Sequence, residues 1–289
     1  MNILGIGIAT LDIVNTVDGY PREDSKVRAL EQQRRRGGNA TNTLVVLSQL
    51  GHRCSWGGVL AKEPDTAYIL RDLERHHIDY RYCRQVEDGT APTSYILLNR
   101  RNGSRTIIHY RDLPEFTHRE FRRIDLSPFH WIHFEGRDVA QTRKMLERCV
   151  AEHPSLPRSL EVEKKRPDIE SLFPLAKVLL FSKEYARQQG FDDGIRFLQS
   201  LRERLPGTIL ICAWGEKGAM AVDEEGTPFT SPAYPPPQVV DTTGAGDVFN
   251  AGIIDGLLRG ERLDDALRSA CRLAGRKCGM AGLDGVTYG

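Results

Sequence analysis

No apolar stretch in the 289 residues approaches the roughly 20 consecutive residues that a membrane-crossing helix needs. The first apolar run, Ile3 to Thr10, lacks a basic leader and a small-residue cleavage site, so no secretory signal is expected. A charge excess is missing too. Forty basic against 39 acidic side chains give a formal net charge of +1, and nothing global draws the chain to nucleic acid or to a membrane. The six cysteines (Cys54, Cys83, Cys149, Cys212, Cys271 and Cys278) have none of the close paired spacings of zinc or redox sites and are too sparse for a disulfide scaffold. Together these absences predict a cytoplasmic protein with reduced, mostly buried thiols. His130 and His133 are three apart on what reads as a strand, which sends them to opposite faces and argues against a shared metal. No Gly-x-x-x-x-Gly-Lys-Ser/Thr occurs, and Gly5-Ile6-Gly7 lacks the third glycine of a dinucleotide fingerprint, so a Rossmann dehydrogenase is disfavoured.

Short apolar runs alternate with segments of helical period. Strands are expected at Ile3–Ala9, Ser55–Leu60, Trp131–Phe134, Leu160–Val162 and Val178–Phe181, and helices at Ala40–Leu50, Asp65–His76 and Ala140–Ala151. This alternation predicts an α/β chain with a mostly parallel sheet flanked by helices on both faces. The length suits one large core with a small appendage. Leu263, Ala266, Leu267, Ala270, Leu273 and Ala274 form a helical stripe that reads as core packing. Two segments break the rhythm. Ile13–Arg34 has no clean period, and Thr93–Tyr110 reads as a hairpin turning at Asn102-Gly103. Both are expected to form a small β-sheet lid on a single domain spanning 1–289.

The most informative run is Asp241-Thr242-Thr243-Gly244-Ala245-Gly246-Asp247, followed by the apolar stretch Val248–Leu258. A glycine-loosened turn feeding a helix leaves several backbone N–H groups unpaired at one spot, with a carboxylate beside them. The N–H groups and the helix dipole favour an anion, while Asp247 is placed to take a proton from an attacking hydroxyl. Alone, the run reads equally as ordinary helix-start chemistry. Gly37-Gly38-Asn39-Ala40-Thr41-Asn42 opens a second helix, and Asp12 stands near the end of what reads as the first apolar strand.

The Gly-Gly-Asn element near the N-terminus and the Gly-Ala-Gly-Asp element near the C-terminus, in that order and separation, resemble the two signatures of the ribokinase-like (PfkB) family of ATP-dependent sugar kinases. Tyr20–Ser25, Trp131–Arg137, Glu161–Lys164, Cys212–Trp214, Pro235–Asp241 and Lys277–Gly279 resemble the branch of that family that phosphorylates ketohexoses such as fructose on the C1 hydroxyl. The resemblance implies a three-layer ribokinase-like fold with a β-sheet lid that caps the sugar, and a homodimer formed through that lid.

It also implies roles for particular residues. Asp12, Gly38, Asn39 and Asn42 would contact the sugar, with Asp24 of the lid reaching a neighbouring subunit's site. Gly244, Ala245 and Gly246 would aim amides at the transferred phosphoryl group and Asp247 would be the base. Arg105, the turn Gly215-Glu216-Lys217-Gly218 and Cys278 would serve the nucleotide, although Cys278 reads equally as a small residue packed on a helix. ATP with Mg²⁺ is expected, metal ligands being unassigned, and the residues allow K⁺ near the Asp241 loop. Family members often carry Asn-x-x-Glu where this chain has Ser182-Lys183-Glu184-Tyr185, and Lys164 and Lys183 are candidates for compensating positive charge. Two other functions stay open: a kinase for a modified ketose, a keto-acid sugar or a nucleoside, and a catalytically silent sugar-binding regulator.

Overall fold

A computed structural model describes residues 1–288. Eight strands form the central sheet in the order Pro228–Ser231, Ala219–Val222, Ile209–Ala213, Val178–Ser182, Arg158–Val162, Trp131–Glu135, Asn2–Ile6 and Arg53–Gly57. The first three are joined antiparallel, and every other neighbouring pair is parallel. Both faces of these strands are apolar, as a sheet covered by helices on both sides requires. Leu179 and Phe181 point into one core while Val178 and Leu180 point into the other. The helices Val139–Glu152 and Gly194–Arg202 cover the first face; Asn39–Gln49, Ala245–Leu258 and Leu263–Cys278 cover the second. No helix among the described residues is long and apolar enough to cross a membrane.

A second sheet has the order Glu31–Gly37, Thr10–Val17, Thr93–Asn99, Arg105–Tyr110. Its middle pair is parallel and the outer pairs antiparallel. Both ends of the aperiodic segment 13–34 are therefore strand, and residues 18–30 connect them. Its polar side chains obscure the period because one strand, Glu31–Gly37, lies at an edge where most positions face solvent.

One placement differs from expectation. Asp12 does not end the first strand, which stops at Ile6; it is the third residue of the strand Thr10–Val17 in the second sheet. The chain leaves the central sheet at Gly7, where the next amide, Ile8 N, donates to Glu135 Oε2 at 2.9 Å instead of continuing the ladder. His130 precedes its strand and accepts from Asn2 N, while His133 is fully buried with Nδ1 against Ser159 Oγ. All six cysteines are free, four of them buried.

Candidate active site

The carboxyl ends of the parallel strands, the starts of two helices and one face of the second sheet meet at one edge of the molecule, where open α/β sheets place their ligands. The helix Ala245–Leu258 begins after Gly244, whose φ of +81° is left-handed, a conformation that costs a side-chain-bearing residue roughly 1 kcal/mol or more. Among the described residues, Gly244, Gly246 and Asp247 have no acceptor for their N–H groups, and a Cβ built on Gly246 would meet no atom within 4 Å. An open, amide-lined cradle results. It fits an anion of phosphate size.

Asp247 lies in the first turn, and only 7 % of the residue is exposed. Its Oδ2 accepts from Asn42 Nδ2 at 2.7 Å. The Asn42 amide is oriented from behind, because its Oδ1 accepts from Arg36 Nη1 at 2.7 Å and Arg36 is anchored on Asp72 at 2.5 Å and Thr41 at 3.0 Å. Burial pushes the Asp247 carboxyl up to about 8; the Asn42 hydrogen bond works against this, and the charges of Glu163 and Glu135 add to it. Such a carboxylate is a poised proton acceptor near neutral pH.

On the N-terminal side, Gly38 has φ +104°, and a Cβ there would fall 2.2 Å from Ile8 O. Only glycine lets the helix Asn39–Gln49 start that close to the chain leaving the central sheet. Asn39 Nδ2 lies 3.2 Å from Glu161 Oε1 and 3.4 Å from Glu163 Oε2. Asp12 is buried, accepts from Thr10 Oγ1 at 2.8 Å, and sits across the strand pair from Arg35. Asp24 is apart from this group. It lies exposed with φ +53° in the connection between two strands of the second sheet, and no ion pair reaches it among the described residues.

Of the nucleotide candidates, Arg105 opens the outer hairpin strand, and its Nη1 donates to Thr242 Oγ1 at 2.5 Å. The hairpin tip is thus laid on the loop leading to the cradle. Cys278 is half-buried, and its carbonyl accepts from Val240 N at 2.8 Å and Asp241 N at 3.2 Å, tying the last helix to the same loop. Gly215–Lys217 is an exposed helical turn closed by Gly218 beyond the carboxyl end of Ile209–Ala213. Among the described residues, no hydrogen bond joins that turn to the Asp241 loop. Lys164 pairs with Glu163 at 3.3 Å, and Ser182 caps the helix Lys183–Gln188.

Several residues of the site were assigned no role from the sequence, although Glu135 and Glu161 stand in two of the runs that carried the resemblance. Glu135 ends its apolar strand and Glu161 is next to last in its own, and carboxylates at the carboxyl edge of apolar strands were the available signal. Glu161 Oε1 lies 3.2 Å from the amide nitrogens of both Asn39 and Asn250, and its Oε2 is buried without a partner. Burial first, then the charge of Asp247, holds the Glu161 carboxyl well above its usual range. Glu135 Oε1 takes Arg137 Nη1 at 3.3 Å. Asp241 shows the opposite balance: burial opposes ionisation, but Arg35 and Lys277 bring its carboxyl down to about 2. A cavity of about 400 Å³ touches Asp12, Asn42 and Thr243 and continues between the edge strand, the helix Thr66–Arg75 and residues 281–284; Asp247 is not among its lining residues. No group of three or more His, Cys, Asp or Glu among the described residues is arranged to hold a metal ion.

The model of the pfkB family carbohydrate kinases matches residues 2–284. Mouse (Mus musculus) ketohexokinase is 42 % identical over 98 % of both chains. Ribokinase from Giardia lamblia superposes with a TM-score of 0.86 over 99 % of this chain and 95 % of its own, at 16 % identity. Ribokinase from Cryptococcus neoformans in complex with ADP gives 0.81 over 99 % and 96 %, at 18 % identity; at those identities the two structures speak for the fold alone. The match along nearly the whole chain, together with the amide cradle and its buried aspartate, makes this protein a member of the pfkB family of carbohydrate kinases.

Proposed function

We propose that the protein transfers the γ-phosphoryl group of ATP to the C1 hydroxyl of a ketohexose, fructose, giving fructose 1-phosphate and ADP. The observation that carries the reading is Asp247 held by Asn42 at 2.7 Å beside unpaired helix-start amides. The acceptor class rests on the 42 % identity to mouse ketohexokinase. Asp12, Gly38, Asn39 and Asn42 hold the sugar through fixed amides and a carboxylate, which match hydroxyls that both donate and accept. Asp247 takes the proton of the attacking hydroxyl. The amides of Gly244, Gly246 and Asp247 meet charge on the phosphoryl oxygens, which is worth most where charge develops in the transition state. The Ala245 N–H, expected to join them, is already given to Thr242 O at 3.3 Å. Arg105, Cys278 and the turn Gly215–Gly218 are assigned to the nucleotide.

Mg²⁺ travels with the phosphates and neutralises their charge. One donor stands ready at this edge, Glu161 Oε2, which is buried without a partner while its Oε1 lies 3.2 Å from Asn250 of the cradle helix; no further protein ligand is assigned to the metal. K⁺ fits less well. The Asp241 carboxylate already faces Arg35 and Lys277, and the Asp241 and Met280 carbonyls accept from Lys277 Nζ, so no step depends on K⁺.

The segments 13–34 and 93–110 are proposed as the lid of a single domain spanning 1–289. Tyr95 and Ile108 are cross-strand partners on the lid and are 49 % and 64 % exposed, an apolar pair suited to a second copy of the chain in a homodimer. Asp24 would then reach the partner's acceptor. A cytoplasmic place of action goes with the six free thiols and the need for ATP. The test is ADP release and product NMR across fructose, modified ketoses, keto-acid sugars and nucleosides. Fructose 1-phosphate is expected; turnover of a nucleoside with none of fructose would overturn the acceptor, and sugar binding without turnover would leave a silent regulator.

A further inference from the structure

Lys277 is a charged side chain with no exposure at all, 0 %, in the last turn of the final helix. A buried ammonium is costly unless its surroundings answer it, and a pairing that specifies one arrangement of the chain is among the reasons to keep one. Its Nζ donates to Asp241 O at 2.7 Å and to Met280 O at 3.1 Å, and stands 3.4 Å from Asp241 Oδ2. From the other side Arg35 Nη1 meets the same Oδ2 at 2.9 Å. Asp241 Oδ1 accepts from Thr243 N at 2.8 Å, and Thr242 Oγ1 takes Arg105. The loop that hands over to the cradle is thus held from the last helix and from both edge strands of the second sheet, one of which sets Arg35 beside Asp12. Amides catalyse by being aimed before the charge appears, and an error of about 1 Å costs on the order of 10²-fold.

We propose that Lys277 is a positioning residue for phosphoryl transfer: with Arg35 opposite, it clamps the Asp241 loop so that the Gly244, Gly246 and Asp247 amides are aligned before the nucleotide arrives. This rests on the kinase reading above. A lysine that only stabilised the fold would lower the melting temperature and leave the relation between ground-state and transition-state affinity alone. A positioning lysine changes that relation.

The test uses Lys277→Met and Arg35→Gln in the full chain. It measures kcat, the KM for fructose, the melting temperature, and the affinities for ADP alone and for ADP with Mg²⁺, aluminium fluoride and fructose. For Lys277→Met the clamp predicts kcat lower by about 10- to 100-fold, with KM for fructose within about 2-fold, and aluminium fluoride complex affinity falling in step with kcat while ADP affinity holds. Arg35→Gln shows the same pattern at about 3- to 10-fold. A folded Lys277→Met with unchanged kcat, or equal losses of ADP and aluminium fluoride complex affinity, overturns the proposal. If Lys277→Met does not fold, Arg35→Gln decides by the same ratio, because that side chain is 21 % exposed. A wild type that turns over no acceptor takes the kinase reading down as well; a working wild type with unaltered variants refutes the clamp alone.

Discussion

Two helices in this molecule start on a glycine of positive φ, Gly38 and Gly244, and the chain uses the same local device for opposite ends. At Gly38 the space is full: the Ile8 carbonyl lies where a Cβ would go, and the helix start is pressed against protein so that Asn39 and Asn42 project in fixed directions. At Gly244 a Cβ would meet only side-chain atoms, Leu283 Cδ2 first at 3.3 Å, and two residues on, at Gly246, the space is open, with the amides of Gly246 and Asp247 unpaired. A glycine before a helix is therefore no signal of an anion site by itself. By hydrogen bonding the two starts are alike, since among the described residues the amides of Asn39, Ala40 and Thr41 have no acceptor either. What separates them is whether the protein fills the space in front of the turn, as backbone does at Gly38, or leaves it open, as at Gly246.

The largest effect expected from breaking this contrast is at Asp247. Asp247→Asn keeps the hydrogen-bonding shape and removes the base, so turnover falls by about 10²- to 10⁴-fold with little change in acceptor affinity, measured by steady-state kinetics and calorimetry. The glycines come next. Gly38→Ala forces a Cβ into backbone at 2.2 Å and into strained φ, and loses stability and activity together. Gly246→Ala meets no atom in the folded chain and gains helix propensity, so its melting temperature holds while kcat drops by about 10-fold or more, because the methyl group occupies phosphate space. Paired melting and activity measurements separate the two. An inactive but stable Gly38→Ala would break the contrast.

Smaller effects follow from charge. Asp247 must be ionised to accept a proton, so kcat/KM falls as the pH drops below about 8, and a rate–pH profile that is flat from pH 6 to 9 would contradict the placement. The stability sign is opposite. A carboxyl raised in the folded state prefers to stay protonated, so its contribution is full below about 4 and is lost as pH rises through about 8. Asp247→Asn should therefore melt higher than wild type at pH 8.5, by a few degrees for each ~1 kcal/mol released. Asp241 behaves in the reverse way, and its stabilisation disappears only as pH falls from about 4 towards about 2. The smallest change is Arg105→Ala, which removes an exposed hairpin contact and should mainly raise the KM for ATP by about 3-fold.

Sequence periodicity located the core elements well where both faces are apolar, as in Val178–Ser182 and Trp131–Glu135, because burial on two sides leaves continuous apolar runs. The Gly-Ala-Gly-Asp run and the Gly-Gly-Asn run were legible because glycine and first-turn carboxylates have few local alternatives. The strand holding Asp12 was misread because the bend at Gly7 is fixed by Glu135, 127 residues along the chain. The roles of Glu161, Arg35 and Lys277 were hidden for the same reason, although Glu161 and Lys277 stand in runs that carried the resemblance. Nothing local distinguishes a buried lysine paired across 36 residues from one on a solvated helix end.

Product analysis of wild type and Asp247→Asn side by side, with fructose and Mg·ATP, tests the central claim most directly. Fructose 1-phosphate is expected from the wild type and almost none from a variant that still binds the sugar. Equal product from both would contradict it.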